Sequence, residues 1–152
     1  MITFKVGNLL DAPAEALVNT VNTVGVMGKG IALQFKKAFP HNFKRYREAC
    51  SKGELSTGKL LVIKDSNLLI GEKLIINFPT KQHWKMPSRH EYIASGLIAL
   101  VKFLKEHPVK SIALPALGCG NGGLDWLSVK PMIVGMLSEL SIDILIYEPD
   151  IG

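Results

Sequence analysis

An amine at Lys81, amides at Asn19 and Asn22, and two glycine-rich turns are the residues of this chain whose types and spacing suit them for chemistry. The turns are Gly25-Val-Met-Gly28-Lys29-Gly30 and Gly118-Cys119-Gly120-Asn121-Gly122-Gly123. Each follows a short apolar run that reads as a strand, Ala16–Asn19 and Ile112–Leu117, and each leads into a helical pattern. Turns of this kind bring bare backbone N–H groups and helix N-termini to one end of a sheet, where phosphate binds. Two that close on one pyrophosphate make a more specific arrangement than either alone.

The first turn is not a triphosphate loop. Lys29 is followed by Gly30 rather than Ser or Thr, and the leading glycine of that motif is replaced by Thr23. Its glycines run in the reverse order to the dinucleotide fingerprint, so ordinary nicotinamide redox is disfavoured too. What remains is a backbone cradle flanked by Asn19 and Asn22, two amides aimed at sugar hydroxyls. In Asn77-Phe-Pro-Thr-Lys81-Gln-His83-Trp84, Lys81 leaves the end of an apolar strand and is placed at the ligand edge of a parallel sheet. An amine there, its pKa lowered by burial or by neighbouring cations, can attack a carbonyl-like carbon or hold an oxyanion. His83, Trp84, Lys85 and Arg89 interleave an aromatic with cations, as single-strand binders do. Cys119 reads as a small residue that keeps its turn tight, because no Cys–His pair is visible in the sequence.

Composition bounds these readings. With 152 residues, 47% apolar and 20% charged, the chain reads as one domain, residues 1–152, with a sizeable core. No run approaches the ~20 apolar residues of a membrane span and the N-terminus lacks a signal-peptide pattern, so the cytoplasm is the expected compartment. Cys50 and Cys119 are not expected to pair, and none of the four histidines forms a ligand pair, so neither metal nor cofactor is expected. A net charge of +5 favours an anionic partner. Lys36, Lys37, Lys44, Arg45, Arg47 and Lys52 form a second basic group, read as a solvated helix face.

The elements that must position these residues alternate. Ile2–Val6 and Glu15–Asn19 read as strands. A helix from Gly30 buries Ile31, Phe35, Ala38 and Phe39 and is stopped by Pro40, and a second, Asn42 to Ser51, buries Phe43, Tyr46 and Cys50. Lys59–Lys64 and Lys73–Phe78 are β runs. Ser88 with Glu91 reads as a capping box opening a helix striped by Ile93, Leu97, Leu100, Val101 and Leu104. Ile112–Leu117 is a strand covered on both faces. The last helix starts at Asp125 or Ser128, Pro131 favouring the latter, and Asp143–Tyr147 closes the sheet. The pattern predicts an α/β domain with a mostly parallel central sheet and helices on both sides.

Gly7-Asn8-Leu9-Leu10, Val18-Asn19-Thr20-Val21-Asn22 with the glycines after it, and Leu117–Gly123 together resemble the macrodomain family, over nearly the whole chain. The resemblance implies a three-layer α/β/α fold and ADP-ribose as ligand and product. It places Asn8 and Leu9 at the adenine, where Asn8 stands for the family's usual aspartate and offers a neutral hydrogen bond. Asn19, Gly28, Gly30, Gly118, Cys119, Gly120, Asn121 and Gly122 fall around the diphosphate and distal ribose. Three longer stretches, Asn19–Gly30, Asn77–Trp84 and Gly118–Trp126, are similar to a branch of antitoxin macrodomains that remove ADP-ribose from thymidine in single-stranded DNA after a toxin has added it. That similarity implies an N-glycosidic ADP-ribosyl hydrolase with Lys81 and Asn22 catalytic. It implies His83, Trp84, Lys85 and Arg89 on the DNA, with ADP-ribosylated single-stranded DNA and a cognate toxin as partners. Such antitoxins carry a further C-terminal toxin-binding domain, so a chain ending at Gly152 corresponds to their N-terminal part. Related protein glycohydrolases of the family pair the matching lysine with an aspartate, whose position here is Gly122; Asp125 is either its substitute or a helix cap. The alternatives are a hydrolase of Glu/Asp-ester-linked ADP-ribose on protein and a non-catalytic ADP-ribose-binding module.

Overall fold

The computed structural model describes residues 1–149. Its strands are β1 (Ile2–Lys5), β2 (Ala16–Val21), β3 (Leu61–Asn67), β4 (Gly71–Pro79), β5 (Ser111–Pro115) and β6 (Asp143–Tyr147). The helices are α1 (Gly30–Ala38), α2 (Pro40–Ser51), α3 (His90–Glu106) and α4 (Trp126–Leu137), with single 3-10 turns at Leu9–Asp11 and Gly120–Gly122. One six-stranded sheet runs in the order β1-β6-β5-β2-β4-β3. Every pairing is parallel except β3 with β4. The mostly parallel α/β sheet expected from the sequence is therefore present, made mixed by the antiparallel β3.

Burial on both faces explains the apolar strands. Ala16, Val18, Ile76, Phe78, Ile112 and Leu114 pack with the stripe of α3 and with Val129, Ile133 and Leu137 of α4. The opposite face, with Leu17, Ile75 and Ala113, packs under Phe35 and Phe39. Each fully buried Leu, Ile or Phe contributes roughly 1.5–3 kcal/mol relative to exposure. Contact between α3 and the sheet is close at one point. A Cβ on Gly96 would lie 2.2 Å from Cζ of the fully buried Phe78, so only glycine fits there.

Several boundaries differ from expectation. Pro40 does not merely stop α1: it is the first residue of α2, where a missing N–H costs nothing, and Phe39 serves as the cap of both helices. Phe43 and Cys50 are only partly buried, while Asn42 is fully buried. Strands β3 and β4 run on beyond the expected β runs and pair as a hairpin, with Leu68 and Leu69 fully exposed at its tip. Ser88 is not a cap. The cap of α3 is Arg89 without a side-chain bond, and Ser88 is buried against the second glycine turn. Asp125, not Ser128, caps α4: its Oδ1 accepts from Leu127 N–H at 3.1 Å. Pro131 lies inside that helix, and the carbonyl it leaves without an intrahelical donor belongs to the solvent-facing Leu127.

Candidate active-site cleft

Five parallel strands point their carboxyl ends at the same edge, where a cleft opens between the segments that follow β2 and β5. The chain leaves β2 for α1 and α2 on one face and leaves β5 for α4 on the other, so this is the topological switch point of the sheet. The cleft has two adjoining compartments. The larger, about 550 Å³, is lined by Asn22, Val26, Gly28, Lys29, Gly30, Ile31, Thr80, Lys81, Trp84 and Gly118 to Gly122. The smaller, about 470 Å³, is lined by Gly7, Asn8, Leu9, Gln34, Pro115, Tyr147, Glu148 and Pro149. Thr20, Ile31, Cys119 and Gly120 line both. The two sizes together suit a dinucleotide-like ligand.

The glycine turns meet across the larger compartment. Gly30 is in the left-handed region at φ +57°, and a Cβ on it would stand 3.1 Å from Asn121 Nδ2. From Gly30 the first turn of α1 aims its unpaired N–H groups into the cleft. Gly118, at φ +75°, has no room for a Cβ, which would approach Leu124 Cδ1 to 2.8 Å. Ser88 fixes the far end of the second turn: its N–H donates to the Gly122 carbonyl at 2.9 Å.

Asn22 braces the first turn. Its Oδ1 accepts from Val24 N–H (3.1 Å) and Val26 N–H (3.3 Å), and its Nδ2 donates to the Val26 carbonyl at 2.7 Å. The Tyr46 hydroxyl stands 2.8 Å from both the carbonyl and Oδ1 of Asn22. Burial, and then the adjacent Cys50, push the Tyr46 phenol far above its usual range, so it remains a donor. This arrangement gives Asn22 a positioning role in addition to its place on the cleft wall.

Lys81 projects from the strap after β4, its Nζ 3.4 Å from the Trp84 carbonyl. Burial lowers the pKa of this amine, and the nearby charge of Lys29 lowers it further. The strap is held by Thr80 N–H donating to the Val21 carbonyl (2.9 Å) and Thr23 Oγ1 donating to the Gln82 carbonyl (2.8 Å). Trp84 lines the cleft mouth and is half-exposed. His83, Lys85 and Arg89 lie beyond it on the strap, outside the cleft wall.

Most of the residues expected around the ligand line the cleft: Asn8, Leu9, Gly28, Gly30, Gly118, Cys119, Gly120, Asn121 and Gly122. Asn19 does not. It is fully buried behind the first turn, its Nδ2 3.4 Å from Asn77 Oδ1 and 3.9 Å from Met27 Sδ, because it shares the strand face of Leu17 beneath the helices. Asn8 Oδ1 caps the first 3-10 turn by accepting from Leu10 N–H at 3.1 Å. Asp125 is occupied as the α4 cap and does not line the cleft. Cys119 is held as a thiol, its pKa pushed up to about 11 by burial and then by Asp125. Among the described residues no three His, Cys, Asp or Glu side chains gather as a metal site.

Sequence reasoning missed Lys29, Tyr147 and Glu148 as cleft residues. Lys29 sits inside the first turn, and the other two follow the last parallel strand, where the carboxyl-end rule would have found them. Glu148 is the one carboxylate lining either compartment among the described residues. It accepts from Trp126 Nε1 and Lys130 Nζ, both at 3.0 Å, which hold its carboxyl below the usual range. The cleft thus carries charge at both ends, with amines Lys29 and Lys81 at one side and Glu148 at the other.

The Macro domain family matches residues 18–133. A Mycobacterium tuberculosis protein named DNA ADP-ribosyl glycohydrolase is 52% identical over 153 residues, covering 100% of this chain and 43% of that protein. The solved macrodomain of Mycobacterium tuberculosis DarG superposes with a TM-score of 0.94 at 52% identity, covering 99% of each chain. A Thermosipho africanus protein named DNA ADP-ribosyl transferase-DNA ADP-ribosyl glycohydrolase fusion protein is 41% identical over 157 residues, 94% of this chain and 40% of that one. The solved Thermosipho africanus DarTG in complex with ADP-ribose matches with a TM-score of 0.91 at 39% identity, covering 97% of this chain and 41% of that one. The chain spans about two-fifths of the length of these curated relatives.

Proposed function

The chain belongs to the macrodomain family, and on that premise we propose that it is a DNA ADP-ribosyl glycohydrolase, releasing ADP-ribose from thymidine in single-stranded DNA as the antitoxin to a DarT-type transferase in the cytoplasm. The observation that carries the reading is Lys81: an amine with a lowered pKa, in a diphosphate-sized cleft, with an aromatic ring at the mouth. Simple binding of ADP-ribose has no need of such an amine. The names of relatives above 40% identity support DNA rather than protein as the modified substrate.

The glycine turns and the α1 N-terminus hold the diphosphate. Adenine lies in the smaller compartment, by Asn8, Leu9 and Glu148. The distal ribose then falls beside Asn22 and Lys81, which turns an encounter into a fixed approach. Lys81 in its neutral form donates its lone pair to the anomeric carbon. The bond to the thymine nitrogen breaks with its electron pair on the base, which takes up the proton that the alkylated Lys81 ammonium gives up. Ring opening gives an imine, and water adds to it to release ADP-ribose and restore the amine. Trp84, His83, Lys85 and Arg89 engage the strand outside the cleft.

The test is release of ADP-ribose from an ADP-ribosylated thymidine oligonucleotide by the wild type and by Lys81→Ala. The expected loss in the variant is on the order of 10²-fold or more, with ADP-ribose binding retained by calorimetry. Wild-type turnover in Lys81→Ala removes the assignment of the amine. Release only from ester-modified protein redirects the substrate, and tight ADP-ribose binding with no release from any substrate makes the domain a reader.

A further inference from the structure

One aromatic ring that carries a cation stands at the cleft mouth, a second lies on α2 joined to the mouth through Asn22–Gly25, and the reading above uses only the first. On the strap, Lys85 Nζ is 5.0 Å from the centre of the Trp84 ring, with the His83 ring 5.4 Å from it. On α2, the half-buried ring of Phe43 has Lys36 Nζ 4.7 Å and the Arg47 guanidinium 5.8 Å from its centre. The segment Asn22–Gly25 joins the two. Tyr46 of α2 hydrogen-bonds Asn22, the Arg47 stem lies 3.5 Å from where a Cβ on Gly25 would stand, and Thr23 bonds Gln82 of the strap. Exposed apolar side chains sit on the same two loops: Val24 and Val26 on one, Trp84 and Met86 on the other.

We propose that the α2 platform of Phe43, Lys36 and Arg47 is a second strand-binding surface, so that single-stranded DNA crosses the mouth with nucleotides on both sides of the modified one. This rests on the proposed function. Charge selects the occupant: Lys44 and Arg45 stand exposed on α2 beside Arg47, with Glu48 as the one acid among these neighbours. A polyanion satisfies the cations, and an aromatic face serves a polymer whose bases are free to stack, which is a single strand rather than a duplex. Trp84 takes the flank on one side and Phe43 the flank on the other, with Val24 and Val26 beneath the crossing.

Two measurements on Lys36→Gln/Arg47→Gln test it, the glutamine at 47 retaining part of the stem that packs on Gly25. The first is fluorescence anisotropy of unmodified oligothymidylate across a salt series. Removing two phosphate contacts reduces the log–log salt slope by about 1.4. An unchanged slope overturns the platform whether or not the protein is a hydrolase. The second compares KM for ADP-ribosylated oligonucleotides extended on one side, on the other, or on neither. In the wild type both extensions lower KM, and in the variant the gain from one of them is lost while the other persists. If extension on one side alone lowers KM in the wild type, and the variant keeps that gain, the platform is overturned while the glycohydrolase reading stands. If the wild type releases ADP-ribose from none of the three, that reading fails and the anisotropy alone decides the surface.

Discussion

Ser88 stands where a side chain on Gly122 would have to go: its N–H holds the Gly122 carbonyl at 2.9 Å, and its Oγ lies 2.5 Å from a Cβ built on Gly122. The second glycine turn and the strap that carries Lys81 are thereby closed against each other at a point with no spare volume. An aspartate cannot be restored at 122 without displacing Ser88. Gly122→Asp is expected to lose about 1–3 kcal/mol of stability through overpacking. Adding Ser88→Gly recovers part of that loss. Thermal melts of the two single variants and the double variant give the coupling between them.

Burial lowers the pKa of Lys81, and the charge of Lys29 lowers it further. A lowered pKa means the neutral amine becomes available at a lower pH, so the rate rises through a limb below the usual lysine range. Lys29→Met removes the repulsion, raises the Lys81 pKa and moves that limb to higher pH. A pH–rate profile of kcat shows the shift. A limb that stays in place separates Lys29 from the chemistry.

The Tyr46 hydroxyl reaches Asn22 from behind the first glycine turn. Tyr46→Phe keeps the ring in its buried seat and removes one hydrogen bond, a cost of about 1 kcal/mol and roughly 2–4 °C in Tm for a chain of this size. Because Asn22 braces the turn, ADP-ribose affinity measured by calorimetry falls as well. A loss of Tm with no change in affinity would confine Tyr46 to stability.

Neither cysteine is poised as a thiolate. Burial and then the charge of Asp125 push the Cys119 thiol up to about 11, and burial raises Cys50 above its ordinary value. Alkylation by iodoacetamide at neutral pH is therefore expected to be slower than for a free cysteine peptide and to rise only in strongly alkaline solution. Mass spectrometry of the timed reaction checks this, and rapid labelling of Cys119 at pH 7 would contradict it.

Gly96 lies far from the chemistry and reports on packing alone. A methyl group there meets the buried Phe78 ring at 2.2 Å, an overpacking cost of about 1–3 kcal/mol against about 1 kcal/mol gained in helix propensity. Gly96→Ala is expected to melt lower than wild type, and Gly96→Ala/Phe78→Leu to recover part of the difference.

The sheet and the glycine turns were legible because apolar runs ending in glycine leave few alternatives at a parallel-sheet edge. What escaped depended on tertiary partners. Ser88 and Glu91 have the spacing of a capping box, yet Ser88 is drawn to Gly122 by a contact across 34 positions of sequence. Pro40 looks like a stop and is a start, because the same residue type suits the end of one helix and the first turn of the next. Asn19 and Asn22 look equivalent in sequence, but Asn19 lies within β2 beneath the helices, whereas Asn22 follows the end of that strand and lines the cleft. For Glu148 the one signal was its position just past the end of the last parallel strand. Its place depends on Trp126 and Lys130, 22 and 18 residues away.

The hairpin tip at Leu68 and Leu69 stands at the opposite end of β4 from Lys81, nine strand residues away, or about 30 Å. A dye or a surface tether at that tip would stand far from the cleft and the strap. The same fold that gathers its ligand-binding segments at one pole therefore offers a handle at the other, suited to single-molecule or immobilised assays of the domain.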